Sequence, residues 1–282
     1  MPKFNDFDMT KWKELTDITT DSLWIINKRD SSGKHSNFYH GNFVPQIPQQ
    51  LIKRYTKKND LVIDPFLGSG TTAYECEKLE RNFIGIDLNP NMVNYVKSQF
   101  FSENDLIKKE NNKNFFEFIE GDSANATTFT KLDKIIKEKN NNEKAQLAIL
   151  HPPYFDIIKF SDNKNDLSNA NNINEFLIEF NNVIKNVKTI LKKDGYLAIV
   201  IADKYSNSEW VPLGFYCMKE AQKEGLLLKS IIIKNMEGNR AKQNQEAIWR
   251  YRALNSDYYI FKHEYIFLFK NECVKNGKKK DK

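Results

Sequence analysis

Two short stretches carry the residues best suited to chemistry. The first, Asp64-Pro65-Phe66-Leu67-Gly68-Ser69-Gly70-Thr71, follows the apolar run Leu61-Val62-Ile63 and leads into a segment, Thr71 to Glu80, without Gly or Pro. A second apolar run, Phe83-Ile84-Gly85-Ile86, then ends at Asp87, with Leu88 after it. This reads as strand, tight turn, helix, strand, acid: one βαβ unit. Small residues in the turn let backbone come close to a bound ligand. An acid at the end of the second strand suits a ribose, because a carboxylate can accept from two adjacent hydroxyls. The second stretch is His151-Pro152-Pro153-Tyr154, at the end of the apolar run Gln146 to Leu150. Two prolines cannot continue a central strand. The chain must leave the sheet there, at the edge where open α/β sheets hold their ligands.

The turn lacks Gly-x-Gly-x-x-Gly, so the usual dinucleotide fingerprint fails. It also lacks Gly-Lys-Ser/Thr, which disfavours a nucleoside triphosphate. An acid at each strand end suits a ligand that brings a positive charge and a ribose, and S-adenosylmethionine has both. DPFLGSGTT resembles the cofactor loop of the amino-group DNA methyltransferases. HPPY resembles their catalytic tetrapeptide, in which Asp, Asn or Ser usually takes the first place. The two lie about 80 residues apart in one α/β pattern, and the resemblance covers roughly residues 38 to 270. It implies S-adenosylmethionine contacts from Asp64, Pro65, Phe66, Gly68, Ser69, Gly70, Thr71, Asp87 and Leu88. It implies further contacts from Phe43 and Pro45 at the methionine end, and from Asp122 and Ser123 after the third strand, where an acid meets the adenine amino group. Asp122 also reads as a helix N-cap before Ala124.

An exocyclic amine of adenine or cytosine is a poor nucleophile, because its lone pair is conjugated into the ring. Methylating it takes alignment, and acceptors that favour a pyramidal nitrogen. The resemblance implies that the His151 side chain and the Pro152 carbonyl accept the amino hydrogens. Pro152 and Pro153 restrict the backbone, and Tyr154 offers a flat face to a base extruded from the duplex. His151 departs from the family pattern. A neutral imidazole accepts one hydrogen bond, whereas an imidazolium accepts none. With an ordinary pKa near 6.5, activity should fall as the pH drops below it. The alternative makes His151 structural and leaves catalysis to Pro152 and Tyr154. Cytosine-C5 chemistry needs a cysteine nucleophile, usually after a proline, and none of Cys76, Cys217 and Cys273 follows one.

A scaffold must hold both stretches. The alternation predicts an α/β fold: a doubly wound, mostly parallel seven-stranded methyltransferase sheet with a terminal antiparallel pair. Residues 1–37 form an arm that either packs its aromatics on the core or covers ligand. Residues 38–270 form the catalytic domain, with insertions at 155–172 and 235–259, and 271–282 form a basic tail. Helices are predicted over 131–139, 173–191 and 212–224. A strand is predicted over 196–201 after an Asp194-Gly195 turn. Two more, 226–233 and 263–269, should pair with each other. The 155–172 loop is expected to border the target-base pocket. Lys159, Arg240, Lys242, Trp249, Arg250 and Arg252, interleaved with Tyr251, Tyr258 and Tyr259, suit phosphate contact and base stacking. A solvated hairpin is the alternative for the second insertion.

The 282 residues, 40% hydrophobic, suffice for one substantial core. A formal charge of +6 allows a polyanionic partner without requiring one. The three cysteines are scattered and form no metal-ligand cluster, so no metal is expected. Without a signal segment or a long apolar run, the chain reads as cytoplasmic and not membrane-bound. The leading functional reading is a double-stranded DNA methyltransferase acting on N4 of cytosine or N6 of adenine. A restriction endonuclease or recognition subunit stays open as a partner. The competing readings are a tRNA guanine-N2 methyltransferase and a catalytically dead nucleic-acid-binding fold.

Overall fold

The structure is a computed structural model that describes residues 4–35, 41–101, 113–206, 209–236 and 246–272. Its centre is a run of strands too apolar to face water. β2 (Leu61–Asp64) is buried throughout, as are most residues of β3 (Asn82–Asp87) and β5 (Ala145–Leu150). Continuous burial marks parallel strands covered on both faces. β4 (Phe116–Glu120), β6 (Leu191–Ile201), β9 (Leu227–Asn235) and β10 (His263–Lys270) complete the main body, and β1 (Leu23–Trp24) adds an edge. The order is β1-β9-β10-β6-β5-β2-β3-β4. β4, β3, β2, β5 and β6 run parallel, and β10 is antiparallel to both β6 and β9.

Helices close both faces. α1 (Gln46–Tyr55), α2 (Thr71–Lys78) and α3 (Pro90–Phe100) cover one, where Ile47, Leu51, Cys76 and Val96 meet Val62, Leu147 and Ile266. α4 (Ala126–Lys139), α5 (Ile173–Thr189) and α6 (Leu213–Lys223) cover the other, where Leu132, Phe176, Phe180 and Leu213 meet Ile63, Ile199 and Phe267. α3 begins as its sequence directs: Pro90 sits in the first turn, where its missing N–H loses no bond, and Asn89 caps Asn91 N at 3.0 Å.

The doubly wound fold and its antiparallel pair are as expected, with one strand more than seven. β1 comes from the arm and lies parallel to β9, Leu23 opposite Ile233. The arm therefore packs on the body: Trp24 is buried and donates Nε1 to Asp21 O at 2.9 Å, while Trp12 stays exposed. Asp194-Gly195 is not a turn but an irregularity inside the continuous β6, with Asp194 at φ +65°. A Cβ on Gly195 would meet the Lys192 carbonyl at 2.9 Å, so only glycine fits there. α4 starts earlier than predicted because Asn125 caps Thr127 N at 2.9 Å. A small hairpin, β7 (Lys204–Ser206) and β8 (Glu209–Val211), follows β6. The 235–259 insertion contains α7 (Glu246–Leu254).

β2 pairs with β3 on one side and β5 on the other, so the chain's winding reverses between β2 and β5. That crevice is where such sheets bind ligands. The turn after β2 crosses β3 at Gly85, which lies opposite Asp64. A Cβ there would stand 2.6 Å from Leu67 Cδ1 and 2.8 Å from the Phe83 ring. Leu67 is itself buried and cannot swing aside. Gly85→Ala is expected to lower unfolding stability by about 1–3 kcal/mol through overpacking. Denaturant unfolding tests this, and an unchanged midpoint would show that Leu67 has room to move.

Candidate active site

The turn after β2 is held from below by its own acid. Asp64 is 1% exposed. It accepts from Phe66 N at 2.9 Å and from Thr72 Oγ1 at 2.5 Å. Burial pushes its pKa up to about 7 against these bonds. Its side chain is turned into the loop, where its oxygens fasten the two ends of the turn. Pro65 and Ser123 are drawn together likewise: Ser123, also buried, donates its hydroxyl to Pro65 O at 2.7 Å. Gly68 (φ +51°) and Gly70 (φ +86°) make the left-handed turns, and Gly70 leads into α2 with Thr71 buried behind it. A Cβ on Gly70 would lie 3.0 Å from the Val96 side chain.

Asp87 sits at the lip of this turn, half-buried. It accepts from Gly68 N at 2.7 Å and Asn89 N at 2.8 Å, one bond to each oxygen. Each carboxylate oxygen has two lone pairs, so both can still serve a ribose diol. Burial raises the Asp87 pKa, and Asp166 raises it further. Asp122 lies half-buried nearby and accepts from Ala124 N at 2.8 Å. It is not the helix cap, a role Asn125 takes. Asp122, Asp166, Leu167 and Ala170 line a cavity of about 200 Å³. The second half of the 155–172 loop thus borders the cavity at Asp122. A larger cavity, about 400 Å³, is lined by Asp6, Phe7, Lys53 and Arg81. It lies by the residues that precede β2 and β3, at the other end of the sheet.

The tetrapeptide leaves β5 at the same edge as this turn, because β5 and β2 are parallel neighbours. Pro152 is buried, while His151, Pro153 and Tyr154 are half-buried. His151 Nε2 lies 3.1 Å from the Tyr154 hydroxyl, which donates to Glu264 Oε2 at 3.0 Å. Lys234 Nζ meets Glu264 Oε1 at 2.9 Å, and both ends of this pair are buried. Burial lowers the His151 pKa to about 4, with Glu264 opposing and Lys234 adding to the effect. The imidazole is therefore neutral across the physiological range. The loss of activity expected near pH 6.5 has no source in this side chain.

Two consecutive residues, Asn42 and Phe43, join the two motifs, and Gly41 precedes them. The Phe160 ring packs on Gly41, where a Cβ would lie 2.9 Å from Phe160 Cζ. Asn42 Oδ1 accepts from Ser69 Oγ at 2.9 Å. The Phe43 ring meets the His151 ring edge-to-face, with centroids 4.7 Å apart. Arg29 fixes this strap by donating to Phe43 O at 2.8 Å, and Pro45 follows, buried, at the start of α1.

The nucleic-acid candidates divide. Arg240 and Lys242 lie outside the described residues. Lys159 is exposed and pairs with Asp162 at 2.6 Å. Arg250 and Arg252 are exposed on α7, with the Arg252 guanidinium 5.5 Å from the Trp249 ring. Tyr258 packs on Tyr205 at 4.2 Å, and Phe261 on Trp210 at 5.4 Å, which anchors this segment to the β7–β8 hairpin. Lys204 of that hairpin pairs with Asp156 and lies 4.9 Å above the Phe155 ring, just past the tetrapeptide.

A family model described as DNA methylase matches residues 5–98 and 145–282. The chain belongs to this family. The match takes in most of the arm as well as both motifs, and leaves out β4 and α4. Among curated relatives, the chain is 46% identical over 52 residues to Type II methyltransferase M.MjaII of Methanocaldococcus jannaschii, 18% of this chain and 10% of that protein. It is 42% identical over 77 residues to Type II methyltransferase M1.MboII of Moraxella bovis, 26% of this chain and 30% of that protein. The chain thus spans less than a third of the length of either. TrmN of Thermus thermophilus shares the fold, with TM-score 0.50 and 14% identity over 82% of this chain and 50% of that one.

S-adenosylmethionine is the cofactor of this family, and the residues present fit it. Asp87 has lone pairs for a ribose, and Asp122 stands at the cavity. Asn42 Nδ2 is buried beside the Ser69 turn without a partner, a donor suited to a carboxylate. Phe66, Gly68 and Leu88 are partly open to the cleft. Sequence reasoning misses Asn42, Thr72, Gly85, Lys234 and Glu264. One signal is present: Lys234 and Glu264 are opposite charges at the ends of apolar runs expected to pair.

The raised Asp64 pKa has a stability consequence. In the unfolded chain this acid titrates near 3.9, so between there and about 7 the folded state holds more protons. Stability from this group is therefore lost as pH rises through that window. Asp64→Asn cannot titrate, and should gain on the parent protein between pH 5 and pH 8. Thermal midpoints at both values measure it; an equal difference at the two would mean that Asp64 titrates normally.

Proposed function

We propose that this chain transfers a methyl group from S-adenosylmethionine to the exocyclic amine of a base flipped out of double-stranded DNA, N4 of cytosine or N6 of adenine. The observation that carries this reading is the strap at 41–43. Through Asn42 it touches the cofactor turn and through Phe43 the tetrapeptide. A ligand held at the first is then a neighbour of whatever the second grips. The cofactor supplies a methyl on a cationic sulfur that departs with the carbon–sulfur electron pair.

The protein's part is alignment and hydrogen-bond acceptance. Asp87 takes the ribose, Asp122 the adenine end, and the glycines let backbone approach. His151 and the Pro152 carbonyl accept the hydrogens of the target amine, drawing its lone pair out of conjugation. The proton that the amine sheds passes to one of these acceptors. Tyr154, pinned at its hydroxyl, holds its ring at a fixed angle for the base. A neutral His151 adds no positive charge beside a sulfonium. Arg250, Arg252 and Lys159 lie toward the DNA backbone, with Trp249 beside Arg252.

The deciding experiment offers labelled cofactor with duplex DNA or tRNA, followed by nucleoside analysis. Label in N4-methylcytosine or N6-methyladenine is the expected result. Label in tRNA guanine, or none in any nucleic acid while the cofactor binds, would overturn the reading. The interface makes its own prediction. Arg250→Ala with Arg252→Ala should weaken DNA binding and flatten the slope of log K against log salt by about 0.9 for each phosphate no longer neutralised, with cofactor affinity unchanged. An unaltered slope in fluorescence-anisotropy titrations would remove both residues from the interface.

A further inference from the structure

A histidine differs from an aspartate or an asparagine in one respect that bears on amine acceptance. Neutral imidazole has one acceptor nitrogen and one donor nitrogen, and which is which depends on the tautomer. The contacts behind His151 decide it. Lys234 and Glu264 face each other across β9 and β10 as directly opposed residues. Lys234 Nζ, a donor only, makes a buried ion pair with Glu264 Oε1 at 2.9 Å. A carboxylate accepts only, so the Tyr154 hydroxyl spends its one proton on Oε2 at 3.0 Å. That hydroxyl then has only lone pairs to offer the nitrogen 3.1 Å away, His151 Nε2. Nε2 must carry the ring's proton. Nδ1 makes no hydrogen bond among the described residues, yet it is not one of the buried polar atoms left without one; it faces space that solvent reaches.

We infer that Lys234, Glu264 and Tyr154 are positioning residues that fix His151 in its Nε2–H tautomer, so that Nδ1 is the acceptor presented to the target amine. The inference rests on the amine-acceptor role proposed for His151. The relay itself can be observed without any substrate. Phe43, edge-to-face on the imidazole, restrains the ring flip that would carry Nε2 away from the Tyr154 hydroxyl. The burial that keeps the ring neutral removes the imidazolium, which would have no acceptor. A second histidine sits in the same arrangement: His263 Nε2 lies 3.0 Å from the Tyr265 hydroxyl, which donates to Asp203 Oδ2 at 3.1 Å. It serves as an internal reference.

The test is Glu264→Gln in the full chain, labelled with nitrogen-15 histidine. The glutamine oxygen must take Lys234, which has only donors to offer. Its amide N–H then points at Tyr154, and the hydroxyl turns its proton toward His151 Nε2. The relay runs backwards with almost no change of shape. Long-range proton–nitrogen correlation spectra, with His151→Asn to assign the signal among four histidines, should show Nε2–H in the parent and Nδ1–H in Glu264→Gln. His263 should be unaltered in both. Methyl transfer should fall on the order of 10²-fold or more, with cofactor affinity kept. Tyr154→Phe, which keeps the ring and removes the relay, should show both tautomers, and it stands in if Glu264→Gln fails to fold. An Nδ1–H signal in the parent, Nε2–H retained in Glu264→Gln, or Nε2–H as the sole tautomer in Tyr154→Phe overturns the inference. If the tautomer inverts but the parent methylates no DNA, the relay holds and the proposed function is what fails.

Discussion

The site depends on one pairing: β2 beside β5, parallel, with Val62 opposite Leu147 and Ile63 opposite Ala148. Parallel neighbours end at the same edge of a sheet. Here the first continues into the glycine turn and the second into the prolines. The reversal of winding between them opens the crevice into which both motifs project. An antiparallel pairing would have sent them to opposite ends. Burial on both faces is what holds these strands in register, since a slip of one residue would exchange the face that each side chain meets. Residues 41–43 then span the crevice from above, so the arm that carries Arg29 also bears on the geometry of the site.

Charge is handled in this crevice by burial rather than by exposed pairs. Asp64 lies inside the turn with its pKa near neutrality. His151 lies behind Phe43 with its pKa far below it. The buried ion pair Lys234–Glu264 is completed by a third group, the Tyr154 hydroxyl. A buried pair with a spare carboxylate oxygen would be costly; here that oxygen orients the tyrosine. The acids that stay half-buried, Asp87 and Asp122, line the side where a cationic, ribose-bearing ligand fits. The exposed arginines, Arg250 and Arg252, are on α7.

What could be read in the sequence, and what could not, follows from the range of the forces involved. The βαβ unit and the break at HPPY are local: apolar runs, small turn residues and prolines declare themselves within a few positions. The terminal pair was legible for the same reason. β1 was not, because two residues give no periodicity and Trp24 is placed by contacts two hundred positions away, at β9. Asp194-Gly195 has the composition of a turn, yet the backbone carbonyls around it make it a bulge. Asp64 has the spacing of a ligand residue, and only its burial shows that it faces inward. Asn42 and Gly85 have no local signal at all; each matters because of what another segment brings against it.

The histidine at the head of the tetrapeptide is the sharpest departure from the family pattern, and the structure gives it a physical setting. An aspartate or asparagine oxygen accepts however the group is protonated nearby. An imidazole accepts only when it is neutral and only at one nitrogen. Two conditions therefore replace none. Neutrality is favoured by burying much of the ring, and the second condition is met by Tyr154, Glu264 and Lys234. Tyr154 is common to the family's tetrapeptide, but the other two come from the antiparallel pair at the chain's far end. Position 151 is thereby coupled to positions 234 and 264 through one phenolic hydroxyl. Changing His151 alone to the family's aspartate would set a carboxylate near the tyrosine oxygen that now accepts a proton. That oxygen has no second proton to give. Through the tyrosine hydroxyl the residue and its neighbours form one hydrogen-bonded unit.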